Sequence, residues 1–174
     1  MRKVALFLIA VFTLMVGCTT FDCSMFNDVS GNYAFKKSLK EGQTEDYRDS
    51  AWMVLMDKYI SVIAVRPQKD SDSIINKWPN PKTLSIPVGF AQEEDELIFQ
   101  LQDSEYKVIK EDTVKITKTN DPVFENVDCY PRYNHQVLSA VTTKNFIDSI
   151  VINNKSIDND LTKVHFYLYL HPSD

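Results

Sequence analysis

The chain has 174 residues, with 24 Asp and Glu side chains against 19 Lys and Arg and a formal net charge of −5. An acidic chain without a cluster of basic residues does not supply the positive charge that binds phosphate backbones. We therefore predict no nucleic-acid partner. The length suits one domain with an adequate hydrophobic core.

The amino terminus has the features of an export signal. Arg2 and Lys3 precede an apolar run over residues 4–16, which is too short to span a membrane. The run ends at Gly17-Cys18, which resembles a lipobox, where the cysteine receives palmitate-type acyl chains. We predict a signal peptide over residues 1–17, a lipidated Cys18 and a single mature domain over residues 18–174. The alternative is an apolar first helix that stays attached.

The residue after Cys18 bears on the destination of the mature protein. Thr19, rather than Asp, follows the cysteine, and the sorting pattern of such lipoproteins then favours the outer membrane, with the leaflet left open. Removal of the signal takes away two positive charges and leaves a mature net charge of −7. The predicted partners are therefore the membrane, through the lipid, and an envelope protein or glycan.

Two further cysteines, Cys23 and Cys129, lie in the mature chain. Thiols oxidise in exported proteins, so we predict that the two form a disulfide. Such a bond would close a loop of about 106 residues and stabilise the fold by roughly 4 to 5 kcal/mol. The alternative is a catalytic thiolate served by His135, which would require a cysteine that remains reduced and accessible.

From Gly31 onward the apolar residues alternate with polar ones, which is the period of β-strands. The strands recur every 8 to 15 residues or so between Asn, Asp, Pro and Ser, a spacing typical of a sandwich or barrel rather than of βαβ units. We predict an all-β fold of two packed antiparallel sheets, immunoglobulin-like in general form. Pro87 and Pro122 should lie at edges or strand ends. The predicted strands are residues 52–57, 59–65, 84–88, 96–101, 113–119, 123–127, 136–142, 148–152 and 164–170.

The last predicted strand shows the alternation most clearly. Val164, Phe166, Leu168 and Leu170 should face the core, because alternate side chains of a strand lie on one face. The residues between them, which include His165, should face outward.

Several segments together resemble a family of small uncharacterised lipoproteins of the Bacteroidetes type, a domain of unknown function. The segments are residues 21–23, 124–129, 141–145 and 147–154. The resemblance implies a lipid anchor, an all-β domain and a Cys23–Cys129 bond. It supplies no activity, cofactor or catalytic residue, and residues 41–56 fit the family less well.

Two acidic segments and the histidines are the candidate metal ligands of the chain. Asp158-Asn159-Asp160 and Asp70-Ser71-Asp72 alternate oxygen ligands as calcium loops do, but Lys163 and Tyr169 stand where an EF-hand requires Gly and Glu, so acidic turns are the simpler interpretation. His165 and His171 are too far apart along a strand to share a metal. The four glycines form no phosphate-binding or nucleophile-elbow motif. No metal or cofactor is therefore predicted.

Two loops are candidate binding sites. Tyr130, Arg132, Tyr133 and His135 follow Cys129 closely, and Trp78 lies in a second loop with two prolines. Tyr, Trp and Arg on rigidly held loops are typical of recognition surfaces. The alternative is that these aromatic residues cover the ends of the sandwich.

Four triplets of Asp, then Ser or Thr, then an apolar residue resemble the O-glycosylation pattern of exported proteins in this bacterial group, although a turn entering a strand has the same pattern. The candidate residues are Ser50, Ser73, Thr113 and Ser149. The leading hypothesis is a non-enzymatic binding or envelope-assembly module on the outer membrane. The alternative is an envelope glycan hydrolase whose carboxylates, among Glu93, Glu94, Asp95 and Glu96, meet only in the fold.

Overall fold

The computed structural model describes residues 29–38, 54–66, 71–124, 126–127, 129–158 and 160–171. The predicted signal peptide, Cys18, Cys23 and Ser50 lie outside these residues. The described part of the chain forms ten β-strands: β1 (Ser30–Lys37), β2 (Tyr59–Val65), β3 (Ser71–Pro79), β4 (Thr83–Pro87), β5 (Glu94–Gln102), β6 (Val108–Val123), β7 (Arg132–Thr142), β8 (Ile147–Ile152), β9 (Ser156–Ile157) and β10 (Phe166–Leu170).

The strands form two sheets that pack as a sandwich. The four-stranded sheet has the order β4-β1-β10-β8, and the six-stranded sheet has the order β3-β2-β5-β6-β7-β9. Neighbouring strands run antiparallel except β1 and β10, which are parallel. The predicted all-β sandwich is confirmed, with this one parallel pair as the departure from purely antiparallel sheets.

The core lies between the sheets, where alternate side chains of the facing strands meet. Tyr33 of β1 stacks on Phe166 of β10, with 4.7 Å between ring centroids, and reaches across to Phe99 of β5 at 5.9 Å. Leu97, Phe99 and Leu101 are buried while the residues between them are half-buried. Each such aliphatic or aromatic side chain contributes about 1.5 to 3 kcal/mol by leaving water.

One end of the sandwich carries a projecting hairpin. The start of β5, Glu94, pairs with Thr117 of β6, so β6 continues past β5 and pairs with β7 alone up to Val123 and Arg132. We call residues 118–123 and 132–136 the arm, and its turn at residues 124–131 the tip. Short β9 pairs with the arm at His135.

The opposite end is closed by a buried carboxylate. Asp112 of β6 is fully buried, and it accepts hydrogen bonds from Thr143 Oγ1 and from the backbone amides of Asn145, Phe146 and Ile147 at 2.6 to 2.8 Å. The side chain therefore fixes the connection from β7 to β8.

Several sequence predictions were wrong in detail. The strand predicted over residues 52–57 is not present in the described part, because Val54 and Leu55 have helical backbone and a turn follows at Asp57, whose φ is 58°. The strand predicted over residues 123–127 is also wrong, because Val123 is the last residue of β6 and the turn of the hairpin follows it. Strand β3 was not predicted. Pro87 ends the edge strand β4 and Pro122 lies one residue from the end of β6, as expected.

His165 was predicted to face outward, and it is buried instead. Strand β10 begins at Phe166, so the alternation does not extend back to His165. The backbone amide of Asn32 donates to its Nδ1 at 3.0 Å, and the Asn32 side chain donates to the carbonyl oxygens of Leu161 and Lys163. His165 thus anchors the last loop to β1.

In the part of the chain that the structure describes, no helix is long and apolar enough to cross a bilayer.

Candidate binding cavity

A cavity of about 450 Å³ opens at the end of the sandwich that carries the arm. The end of β2, the start of β3, the start of β5 and the segment from Pro87 to Gln92 form its walls. Most of the lining side chains are apolar, with charged groups at a few positions, as is usual for ligand pockets of this size. The apolar members are Ala64, Val65, Ile74, Pro87, Val88, Phe90, Ala91 and Leu97, and the polar side chains are Arg66, Asp72, Gln92, Asp95 and Glu96.

The segment over residues 88–92 forms one wall, and polar contacts hold its backbone. The Asn120 side-chain amide donates to the carbonyl oxygens of Phe90 and Gln92 at 3.1 and 2.9 Å. Lys118 Nζ donates to the same Gln92 oxygen at 2.6 Å, and Val88 donates its amide to Val29 at 2.9 Å. Because both ends and the middle of the segment are bonded, this wall is set before a ligand arrives.

An ion pair lies behind this wall. Lys118 Nζ is 3.4 Å from Asp95 Oδ2, with the lysine side chain fully buried and the Asp95 side chain 12% exposed. Burial raises the pKa of Asp95, and the Lys118 charge opposes that rise. Burial likewise lowers the pKa of Lys118, against the pull of Asp95. Each charge therefore depends on the other for its stability in this site.

Gly89 is required for the approach of the wall to Asp95. A Cβ atom at Gly89 would lie 2.8 Å from Asp95 Oδ1, closer than van der Waals contact permits. The Gly89 backbone amide also helps to hold down the pKa of Asp95.

His135 completes the polar network inside the arm. Its Nδ1 lies 2.8 Å from Asn120 Oδ1, and since the Asn120 amide nitrogen is used on backbone carbonyls, the histidine nitrogen must donate to this oxygen. Burial, followed by the nearby Lys118 charge, lowers the pKa of His135 to about 4. The ring is therefore neutral at pH 7, and it supports the arm rather than presenting a charge.

The predicted binding residues do not lie in one loop. Arg132, Tyr133 and His135 belong to β7, so their placement in a loop was wrong. Tyr133 stacks on Phe90 of the cavity wall, with 5.1 Å between ring centroids, and Tyr130 lies exposed at the tip.

Trp78 is separate from this group. It lies within β3, so its placement in a loop was also wrong, and it is exposed near the end of that strand. There β3 pairs with the start of β2, at the opposite end of the sandwich. Beside it, Lys77 Nζ lies 4.3 Å from the Tyr106 ring centroid and Tyr106 packs against Tyr59.

The acidic turn over residues 158–160 contains its own cation. Lys163 Nζ is 2.8 Å from Asp158 Oδ2 and 3.5 Å from Asp160 Oδ2, so the ammonium lies between the two described carboxylates. In the second acidic segment Asp70 lies outside the described residues, and Asp72 pairs with Arg66. Among the described residues no group of three or more His, Cys, Asp or Glu side chains is placed to hold a metal.

The acidic run over residues 93–96 does not gather its carboxylates on one side. Glu94 and Glu96 both pair with Lys115 on the outer face of the six-stranded sheet, whereas Asp95 points inward to Lys118. Residues 94–96 lie within β5, so alternation separates their side chains.

The candidate glycosylation sites that the structure describes lie on three different strands. Ser73 is exposed on the edge strand β3, and Thr113 and Ser149 are half-buried within β6 and β8. Glycosylation of these residues stays a prediction. Cys129 lies in the tip and Cys23 lies outside the described residues, so the Cys23–Cys129 disulfide also stays a prediction.

Lys118, Asn120 and Phe90 were not identified from the sequence. Lys118 follows the buried residues Val114 and Ile116 at the same two-residue spacing in β6. The alternation therefore predicts that this lysine faces inward. Its contact with the segment before β5 depends on the fold and leaves no local pattern.

Comparison with protein families gives a match to a family without an assigned function. The model of a family of unknown function (DUF6452) matches residues 59–170, which is well over half of the chain. The chain belongs to this family. The DUF6452 match runs from the first residue of β2 to the last residue of β10, and it therefore includes the cavity and the arm.

No curated protein and no solved structure matches the chain. The expected membership in a family of unknown function is confirmed, whereas the bacterial origin and the lipid anchor of DUF6452 proteins stay predictions. The matched range contains the motifs at residues 124–129 and 141–154 but neither Cys18 nor Cys23.

Proposed function

We propose that this DUF6452 protein is a non-enzymatic binding module of the cell envelope, held on the outer membrane by lipid on Cys18. The cavity is the observation that carries the proposal. Its volume lies within the range of small-ligand pockets, and the wall over residues 88–92 is fixed by Lys118 and Asn120. A preformed wall lowers the entropy cost of binding.

The lining indicates the chemistry of the ligand. Each of its three carboxylates has a cationic partner, since Asp72 pairs with Arg66, Asp95 with Lys118 and Glu96 with Lys115. Because these charges are offset, the mostly apolar lining favours an apolar group with a neutral polar end. We assign the cavity to an apolar side chain of an envelope protein, presented beside a hydroxyl residue.

The glycan-hydrolase alternative would need an acid and a base with separated pKa values facing one substrate. The three carboxylates that line the cavity, Asp72, Asp95 and Glu96, all belong to ion pairs. This arrangement supports the binding function over hydrolysis.

The anchor completes the proposal. The Gly17-Cys18 junction and the preceding apolar run support lipidation, and Thr19 supports sorting to the outer membrane. A Cys23–Cys129 bond would hold the mature amino terminus against the tip of the arm.

Photocrosslinking from the cavity tests the binding function. A photoreactive aromatic amino acid replaces Ala91, which is exposed at the cavity, in the lipidated protein in cells. We expect one protein adduct, identified by mass. The matched control places the same residue at Ser139, which is exposed on β7 outside the lining, and it should not give this adduct.

A second substitution shows whether the adduct depends on the cavity. Ile74→Trp places an indole ring in the cavity instead of a smaller aliphatic side chain. It should lower the adduct yield about tenfold, equivalent to about 1.4 kcal/mol of binding free energy. Equal yields from positions 91 and 139, or no response to Ile74→Trp, would contradict a cavity-bound partner.

A further inference from the structure

The tip of the arm exposes large apolar side chains. Phe124 is 69% exposed, Val127 97% and Tyr130 85%. Single exposed apolar residues are common on protein surfaces, but here three lie within seven residues of one turn at the end of a projecting hairpin. Exposed apolar groups concentrated in this way mark contacts with a partner or a membrane.

The chain enters the sandwich at the same end. The carbonyl oxygen of Val29, the first described residue, accepts a hydrogen bond from the Val88 amide at 2.9 Å. Phe90, two residues after Val88, stacks on Tyr133 of the arm. The mature amino terminus therefore approaches the fold beside the arm, and not at the far end with Trp78 and Tyr106.

The distance from the anchor to the tip is limited. Val29 is eleven positions after Cys18, which gives at most about 40 Å of fully extended chain between them. The proposed Cys23–Cys129 bond shortens this, because Cys23 is five residues from Cys18 and Cys129 lies within the tip, so the tip would lie within about 25 Å of the lipidated cysteine.

We propose that the tip docks on the bilayer, with Phe124, Val127 and Tyr130 in the interfacial layer. Aromatic side chains with an apolar body favour that layer, and the tyrosine hydroxyl can remain hydrated there. Two acidic residues, Glu125 and Asp128, lie within the tip in sequence, so the proposed contact is made by the apolar side chains and does not depend on anionic lipid. The inference rests on the proposed lipid anchor.

Depth-dependent quenching tests the docking. The lipidated protein is reconstituted in zwitterionic vesicles whose acyl chains carry bromine, with Phe124→Trp as the probe and Tyr106→Trp, at the opposite end, as the matched control. The fluorescence of the natural Trp52 and Trp78 is subtracted with the parent protein. Both replaced side chains are exposed, so neither variant should impair folding.

We expect bromine to remove most of the fluorescence added at position 124 and to leave that at position 106 unchanged. High salt should not alter this result, since the contact is apolar. Intact mass measured on the same vesicles reports the acyl chains. Unquenched fluorescence from an acylated protein overturns the docking and leaves the anchor standing, whereas a protein without acyl chains overturns the anchor and the docking together.

Discussion

Lys118 and Asp95 form an ion pair across neighbouring strands, with Nζ and Oδ2 3.4 Å apart and the lysine side chain completely buried. The same ammonium bonds the Gln92 carbonyl oxygen, so one cation connects β6, β5 and the cavity wall.

Lys118→Met should destabilise the protein by about 3 to 5 kcal/mol, because it leaves the Asp95 carboxylate in the interior without its cation. Urea denaturation at pH 7 measures the loss. The control is Lys115→Met, which removes an exposed lysine from the same strand and should cost much less stability, because solvent screens its ion pairs. Equal effects of the two substitutions would contradict the role assigned to the buried pair. Adding Asp95→Leu to Lys118→Met should recover part of the loss.

Asp112→Asn should destabilise the fold by about 3 kcal/mol or more. The carboxylate accepts hydrogen bonds on both oxygens, whereas the asparagine NH2 group would face backbone N–H donors and leave them without an acceptor. The neighbouring Glu111→Gln changes an exposed carboxylate in the same way and should have little effect. Hydrogen exchange should show the amides of Asn145, Phe146 and Ile147 opening in the first variant alone. Unchanged protection of these amides would show that the carboxylate does not hold the connection.

Stability should fall as the pH is lowered from about 6.5 to about 4. The folded state lowers the pKa of His135 from its ordinary 6.5 to about 4, so the unfolded chain binds a proton more readily in this window. The contribution of neutral His135 to the free energy of unfolding is complete above pH 6.5 and is lost as the pH falls to the pKa of the folded state. The loss amounts to roughly 3 kcal/mol.

Denaturation curves at a series of pH values measure this dependence. His135→Gln should reduce the slope between pH 4 and 6.5, and the remainder should come partly from His165, whose pKa is also lowered by burial. His171→Gln, at a residue on the opposite end of the sandwich, should keep the slope of the parent. If His135→Gln leaves the slope intact, the buried neutral histidine is not its source.

Cys18→Ser should leave an unprocessed precursor, because the thiol is the acylation site in the proposed anchor. Intact mass would then show the full 174-residue chain without lipid. Cys129→Ser is the control, since it should leave acylation unchanged. An acylated, shortened product from Cys18→Ser would remove the basis for the anchor.

The alternation of apolar residues was sufficient to predict the fold class and most of the strands. It succeeds in β5, where Leu97, Phe99 and Leu101 are buried on one face, because a half-buried strand has a strict period of two. It fails where burial is not periodic, as in β3, an edge strand whose adjacent residues Ile74 and Ile75 are both half-buried.

The candidate site was less accessible to sequence reasoning. Arg132, Tyr133 and His135 were selected for their side-chain types, and the structure places them near the cavity wall through Phe90 and Asn120. Those contacts join residues 15 to about 45 positions apart, and no local pattern specifies them. The residues 120–122, Asn-Asp-Pro, are typical of a turn, yet they pair with β7 in the arm.

The parallel pairing of β1 with β10 has a consequence for the order of folding. Tyr33 pairs with Phe166, so the first strand gains its central neighbour from residues near the end of the chain. Contacts so distant in sequence form late and slow folding. A chain exported amino terminus first would therefore keep β1 without that neighbour until almost all of it has crossed the membrane, which favours a translocation-competent, unfolded precursor.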